Sequence, residues 1–157
     1  EIMGRLRAVL HDAALALAPL TGFGKRFVNS GRLSLPTTYE ASPLSTPDRA
    51  WQGGIAPGAA FLDAPLSDDA RPWLSETLRA GGPVLLGHGL DAEAVAPEGL
   101  AAIGAEPGAD EALIRRYALA PGDAYLLRPD GHVAARFHNP TRAEIAAAIE
   151  RLEGRAP

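Results

Sequence analysis

Residues 126–137 read LLRPDGHVAARF, and this stretch decides the fold. Pro129 presets φ for the second position of a turn, Asp130 can bond its own backbone, and Gly131 tolerates the positive φ that closes it. The flanks alternate. Tyr125 and Leu127 share one face before the turn, and Val133, Ala135 and Phe137 share one face after it. The pattern predicts a β-hairpin with one buried face, its strands near 124–128 and 132–137.

Downstream, Thr141 and Glu144 form a T-x-x-E capping box for a final helix with Ile145, Ile149 and Leu152 inside. Upstream, Asp110 is placed to cap a helix carrying Leu113, Ile114 and Tyr117. Leu100–Ile103 and Val84–Leu86 are apolar runs suited to buried strands, joined by a helical or irregular piece from Asp91 to Glu98. Trp73–Ala80 reads as a short helix stopped by Gly81-Gly82-Pro83. The order is β-α-β-α-β-β-α, which predicts an α/β domain with a small mixed sheet and helices on both faces. That is the thioredoxin-like plan without its cysteines.

The N-terminal third differs. Residues 2–18 carry Met3, Leu6, Val9, Leu10, Ala13, Ala14 and Leu17 at helical spacing, with Pro19 as a stop. From Thr21 to Pro57, glycine and proline break any long element, which predicts an irregular connector draped over a neighbouring surface or linking two domains. The expected division is therefore 1–56 and 57–157. The chain opens on Glu1-Ile2-Met3, already inside the helical pattern, as a piece of a longer polypeptide would.

Composition narrows the function. Of 157 residues 46% are hydrophobic, enough for one compact core. A net charge of -4 without basic runs argues against nucleic acid as a partner. Apolar stretches fall short of the ~20 residues a membrane span needs. With no cysteine in the sequence, disulfides, thiolate metal sites and dithiol redox chemistry are excluded, and the expected location is cytoplasmic.

Candidate sites are sparse. His132 and His138 lie six residues apart with no further ligand at matched spacing, so a solvated or hydrogen-bonded pair is expected instead of a metal centre. Gly87-His88-Gly89 follows a strand, but a lone G-x-G is read as a turn. Ser42 lacks a G-x-S-x-G elbow, and Ser30, Ser34 and Ser45 are loop residues by the same test. Arg128 is expected to meet an acidic surface, and Asp130 to serve the turn. Trp51, Phe61 and Trp73 could form a docking patch or be buried in the domain's own core.

The segment Leu127-Arg128-Pro129-Asp130-Gly131-His132-Val133-Ala134 resembles the LVRPDGHVAWR-type stretch near the C-terminus of FAD-dependent aromatic hydroxylases, the phenol hydroxylase-like flavoprotein monooxygenases. Tyr39-Glu40-Ala41-Ser42-Pro43-Leu44 is similar to the Y-x-x-S-P-L segment ending that family's main body. Pro57-Gly58 with Ala64-Pro65-Leu66 resembles the P-G…A-P-L opening of its tail domain. Trp73-Leu74 and Pro83-Val84-Leu85-Leu86-Gly87 resemble its W-L…F-T-L-L-x-x-G segment. Ala135 departs from the usual tryptophan, and Ala59-Ala60 from an arginine-bearing segment.

The resemblance implies a non-catalytic C-terminal accessory or association domain of an aromatic-ring monooxygenase. Residues 1–56 would be the tail of the catalytic body. Arg128, Pro129, Asp130 and Gly131 would be a structural motif, with no catalytic, cofactor or metal residue in the fragment. FAD, a nicotinamide nucleotide and dioxygen would serve the parent enzyme. Partners would be the parent's own FAD and substrate domains; separately, the apolar stripe of the N-terminal helix predicts pairing with a second copy through residues 1–56 in a homodimer. The alternative is a stand-alone small-molecule module of thioredoxin fold, which needs a deep apolar pocket.

Overall fold

The computed structural model describes residues 36–47 and 51–155; the helix expected over 2–18, with Ser30 and Ser34, lies outside the described residues. The elements are α1 (Leu74–Leu78), β1 (Val84–His88), α2 (Ala92–Val95), β2 (Ala101–Ala105), α3 (Glu111–Tyr117), β3 (Asp123–Leu127), β4 (Val133–His138) and α4 (Arg142–Leu152). The sheet order is β2-β1-β3-β4. β1 and β2 run parallel, whereas β3 is antiparallel to both β1 and β4. This is the mixed α/β, thioredoxin-like arrangement that the element order predicts.

Alternation along the strands builds two cores. Val84 and Leu86 face Leu74, Leu78, Leu113 and Tyr117, with Tyr125, Leu127 and Val133 beside them. Leu85 and Ala124 face Ala92, Ala96 and Ile145 on the other side, where Leu126 meets Ala135 and Ala148. Helices α1 and α3 thus cover one face, and α2 and α4 the other. Every residue of β1 and β3 is buried. The expected hairpin with a single buried face is corrected, because β3 is an interior strand buried on both sides.

A bulge corrects the strand after the turn. Leu127 pairs with Val133, yet Leu126 pairs with Ala135, so Ala134 is an extra residue on β4. It reverses the alternation: Val133 joins the Tyr125 face, while Ala135 and Phe137 join the α4 face. The expectation that Val133, Ala135 and Phe137 share a face assumed an unbroken period of two.

Helix ends follow their sequences only in part. Thr141 and Glu144 form the full capping box on α4. Ile145 is fully buried, and Ala148 nearly so, but Ile149 and Leu152 are half-buried. The inner stripe is therefore centred one turn earlier than Ile149 and meets Leu85, since Val84 and Leu86 point away. Asp110 stands at the N-cap of α3 but makes no side-chain cap bond. Its buried carboxylate instead accepts from the Glu106 amide (2.9 Å), the Ser67 amide (2.7 Å) and the Ser67 hydroxyl (3.1 Å). Trp73, the N-cap residue of α1, has no cap to offer; Asp63 supplies one from upstream, accepting from the amide and hydroxyl of Ser75 at 2.9 and 2.8 Å.

Candidate functional site

The turn is built as its residues dictate. The Gly131 amide donates to the Arg128 carbonyl at 3.0 Å, and the Arg128 amide to the His132 carbonyl at 2.8 Å. Gly131 takes φ 82°, the left-handed region that glycine enters without strain. Among the described residues Arg128 pairs with the turn's own Asp130, 2.5 Å away. Asp130 also accepts from the His132 amide at 3.3 Å.

The turn anchors the connector, and this makes it the candidate site. The Gly58 amide donates to Val133, the Val133 amide to Ala59, and the Phe61 amide to Gly131, all within 2.8–2.9 Å. The Thr46 amide reaches the carbonyl of the bulged Ala134 at 2.9 Å, and the Tyr39 amide reaches Gly58 at 2.9 Å. The His132 ring lies 3.3 Å from the Thr37 carbonyl and 5.0 Å from the Tyr39 ring, edge to face. Segments on both sides of residue 57 are thus laced onto the start of β4 in one surface. Tyr39 leaves it half exposed (49%).

A second lacing uses the hydroxyls of Tyr117 and Tyr125, which periodicity places on an inner helix side and a strand face without naming their partners. The Tyr117 phenol donates to the Leu62 carbonyl at 2.9 Å and accepts from the Leu62 amide at 3.2 Å. Burial pushes its pKa well above the ordinary tyrosine range. Tyr125 accepts from the Ile55 amide at 3.3 Å, and Trp51 packs edge to face on its ring at 5.9 Å. Trp51 accordingly packs against the domain's own core, with Arg136 over its ring at 5.2 Å. Phe61 lies against Gly131, whereas Trp73 is 45% exposed.

The remaining candidates scatter. His132 and His138 stand at opposite ends of β4, each beside a carboxylate; His138 Nδ1 is 2.8 Å from the buried Asp123. Among the described residues no group of three or more His, Asp or Glu is placed to hold a metal ion. His88 is buried with Nδ1 3.1 Å from the Ala105 carbonyl, tying the ends of β1 and β2. Ser42 accepts the Leu44 amide at 3.3 Å in a local turn, and Ser45 is buried. An open groove of about 550 Å³ runs past Trp51, Arg136, His138, Glu144 and Arg151.

One loop, that after β1, does not fit the pyrophosphate of a flavin. The turn after β1 leads to α2, whose N-terminus is capped by the Asp91 carboxylate with Glu93 beside it. Two acidic groups stand where a pyrophosphate would need bare amides and neutral glycine.

No protein-family model matches the chain, and no curated protein matches it either. Solved structures do. The flavin-dependent monooxygenase PieE, crystallised with FAD and substrate, superposes with a TM-score of 0.60 at 21% identity over 95% of this chain. Aklavinone-11 hydroxylase, in a ternary complex with FAD and aklavinone, gives 0.51 at 21% identity over 80%. The fold is similar to that of one part of these two flavin-dependent monooxygenases. This chain spans 29% and 28% of the length of those two proteins.

Proposed function

We infer that the chain is the non-catalytic C-terminal accessory domain of a FAD-dependent aromatic-ring monooxygenase. The observation that carries this reading is the paired coverage: nearly the whole chain matches PieE, while less than a third of PieE is matched. The remainder of such an enzyme is the surface on which this piece would pack. Residues 1–56 are read as the tail of the catalytic body with its connector, and 57–157 as the accessory domain. FAD, a nicotinamide nucleotide and dioxygen act in the parent's other domains, so no catalytic or cofactor residue is assigned here.

The role of Arg128, Pro129, Asp130 and Gly131 in this reading is mechanical. Their turn fixes the start of β4, onto which the connector is hydrogen-bonded, and so sets the direction in which the catalytic body is reached. The parent is read as a cytoplasmic homodimer without a membrane segment; among the described residues no helix is long and apolar enough to cross a bilayer. The half-polar, open groove beside Trp51 suits docking better than the enclosed apolar pocket of a small-molecule module.

The test is the reading frame upstream of Glu1 and the protein it encodes. A G-x-G-x-x-G after a strand is expected there, and the full protein should purify yellow and oxidise NAD(P)H when offered a phenolic substrate. The present chain alone should be colourless and inactive. An upstream frame without a flavin motif, or stoichiometric flavin on this chain alone, overturns the reading.

A further inference from the structure

The mechanical role of Arg128 to Gly131 leaves the next residue, His132, unused. Its side chain is largely covered, 16% exposed, and both ring nitrogens face an acceptor. Nδ1 lies 3.3 Å from Asp130 Oδ1, and Nε2 lies 3.3 Å from the Thr37 carbonyl oxygen. Among the described residues, the charged and titratable groups that meet the ring are Asp130, Tyr39 edge to face and, across the carboxylate's other oxygen, Arg128. Thr37 is the first residue of the compact unit 37–157, whereas Pro36 ends the unit before it. One imidazole thus ties the foot of β4 to the point in the chain where that unit begins, 95 residues upstream.

A neutral ring cannot serve both acceptors. It carries one N–H and one lone pair, whereas the imidazolium carries two N–H groups. When neutral, the ring keeps its proton on Nδ1, because a lone pair there would face a carboxylate. Nε2 then turns its lone pair on the Thr37 carbonyl. The bond that fails is the one to the connector, and the bond to Asp130 stays. Arg128 shares that carboxylate and tempers its pull on a charged ring, but it acts on the Nδ1 side. At the opposite nitrogen the outcome depends only on whether a proton is there to donate.

We propose that His132 is a pH-sensitive latch on the connector: doubly protonated it holds the Thr37 carbonyl, and on losing a proton it releases it. Imidazole is the side chain whose charge ordinarily changes between about pH 5 and 8, so the hold varies across the physiological range. Release loosens the stretch from Thr37 to Tyr39, whose next anchor is the Tyr39 amide on the Gly58 carbonyl at 2.9 Å. The pairing of the sheet is untouched. The hold of the domain on its own entry segment is therefore graded by acidity.

The latch stands on these contacts and not on the flavoprotein reading, and its test does not involve flavin. Amide exchange and NMR on the full chain decide it. Expressed as protection factors, which removes the intrinsic effect of pH on exchange, the Tyr39 amide should lose at least about threefold between roughly pH 5.5 and 8. Leu86 and Tyr125, in interior strands, should keep theirs. The Thr37 carbonyl carbon resonance should titrate in step with the His132 ring. His132→Gln, which has no charge to lose, should flatten both responses. His138→Gln, which alters the histidine at the far end of β4, should leave both in place. A Thr37 carbonyl that stays silent while His132 titrates overturns the proposal in the unaltered chain, as does flat protection at Tyr39. So does a response that survives His132→Gln or disappears with His138→Gln.

Discussion

The Tyr125 phenol donates to the backbone carbonyl of Tyr117 at 2.8 Å, and the two rings meet edge to face with centroids 5.1 Å apart. The pair joins β3 to the end of α3 and, through Ile55 and Leu62, holds the connector from two points. Tyr125→Phe keeps the ring but strands a buried carbonyl and weakens the hold on Ile55. A loss of about 1–3 kcal/mol in denaturant stability is expected, with faster amide exchange at Ile55.

Tyr117 also sets an alkaline limit. Burial raises its folded pKa above the unfolded value of about 10. The stability it contributes is complete below pH 10 and declines as pH rises from there towards the raised folded value. Thermal melts above pH 10 should show that decline, and Tyr117→Phe should be less stable at neutral pH but lose less on going alkaline.

Gly54 tests how tightly the connector is seated. Its φ is +63°, and an added Cβ would lie 2.3 Å from the Tyr125 hydroxyl oxygen and 2.6 Å from the Tyr117 carbonyl oxygen. At Gly81, φ is +89° with nothing within 4 Å. Gly81→Ala should cost about 1–2 kcal/mol, the ordinary penalty for a left-handed alanine. Gly54→Ala should cost clearly more in the same denaturant titration, because backbone must move.

On α4 the buried residues are Ile145 and Ala148, and Ile145 is the large one. Its truncation to alanine should cost about 2–5 kcal/mol, and Ile149→Ala less, since Ile149 is half-buried. Equal losses in urea titrations of the two variants would contradict the observed orientation of the helix.

Acid should loosen the start of the same helix. The Thr141 amide and hydroxyl, both 2.8 Å from Glu144 Oε2, hold that carboxyl below its usual range. Its contribution is present above the unfolded glutamate pKa and is lost as pH falls through the lowered folded one. Comparing Glu144→Gln with the parent chain by circular dichroism, the difference between them should shrink on acidification and vanish once both are uncharged.

What the sequence made legible was local. The turn at 128–131, the capping box at Thr141 and the strand–helix order all rest on contacts between near neighbours, and the structure has each of them. The Ala134 bulge was not legible, because alanine gives no sign of an inserted residue in an alternating run. Nor were the roles of Asp63, Asp110, Tyr117 and Tyr125. The bonds that tie them to Ser75, Ser67, Leu62 and Ile55 span 12 to 70 residues, beyond any spacing rule. Trp51 read as ambiguous for the same reason: its neighbours Tyr125 and Arg136 come from strands far downstream.

The contact between His132 and Thr37 spans 95 residues. During synthesis the connector leaves the ribosome long before β4 exists to receive it. At about 5–20 residues per second, that interval is roughly five to twenty seconds. Throughout it the amides of Thr46 and Gly58 have no β4 carbonyl to meet. The nascent chain must therefore hold this segment open, by water or by a chaperone, until the last hairpin emerges.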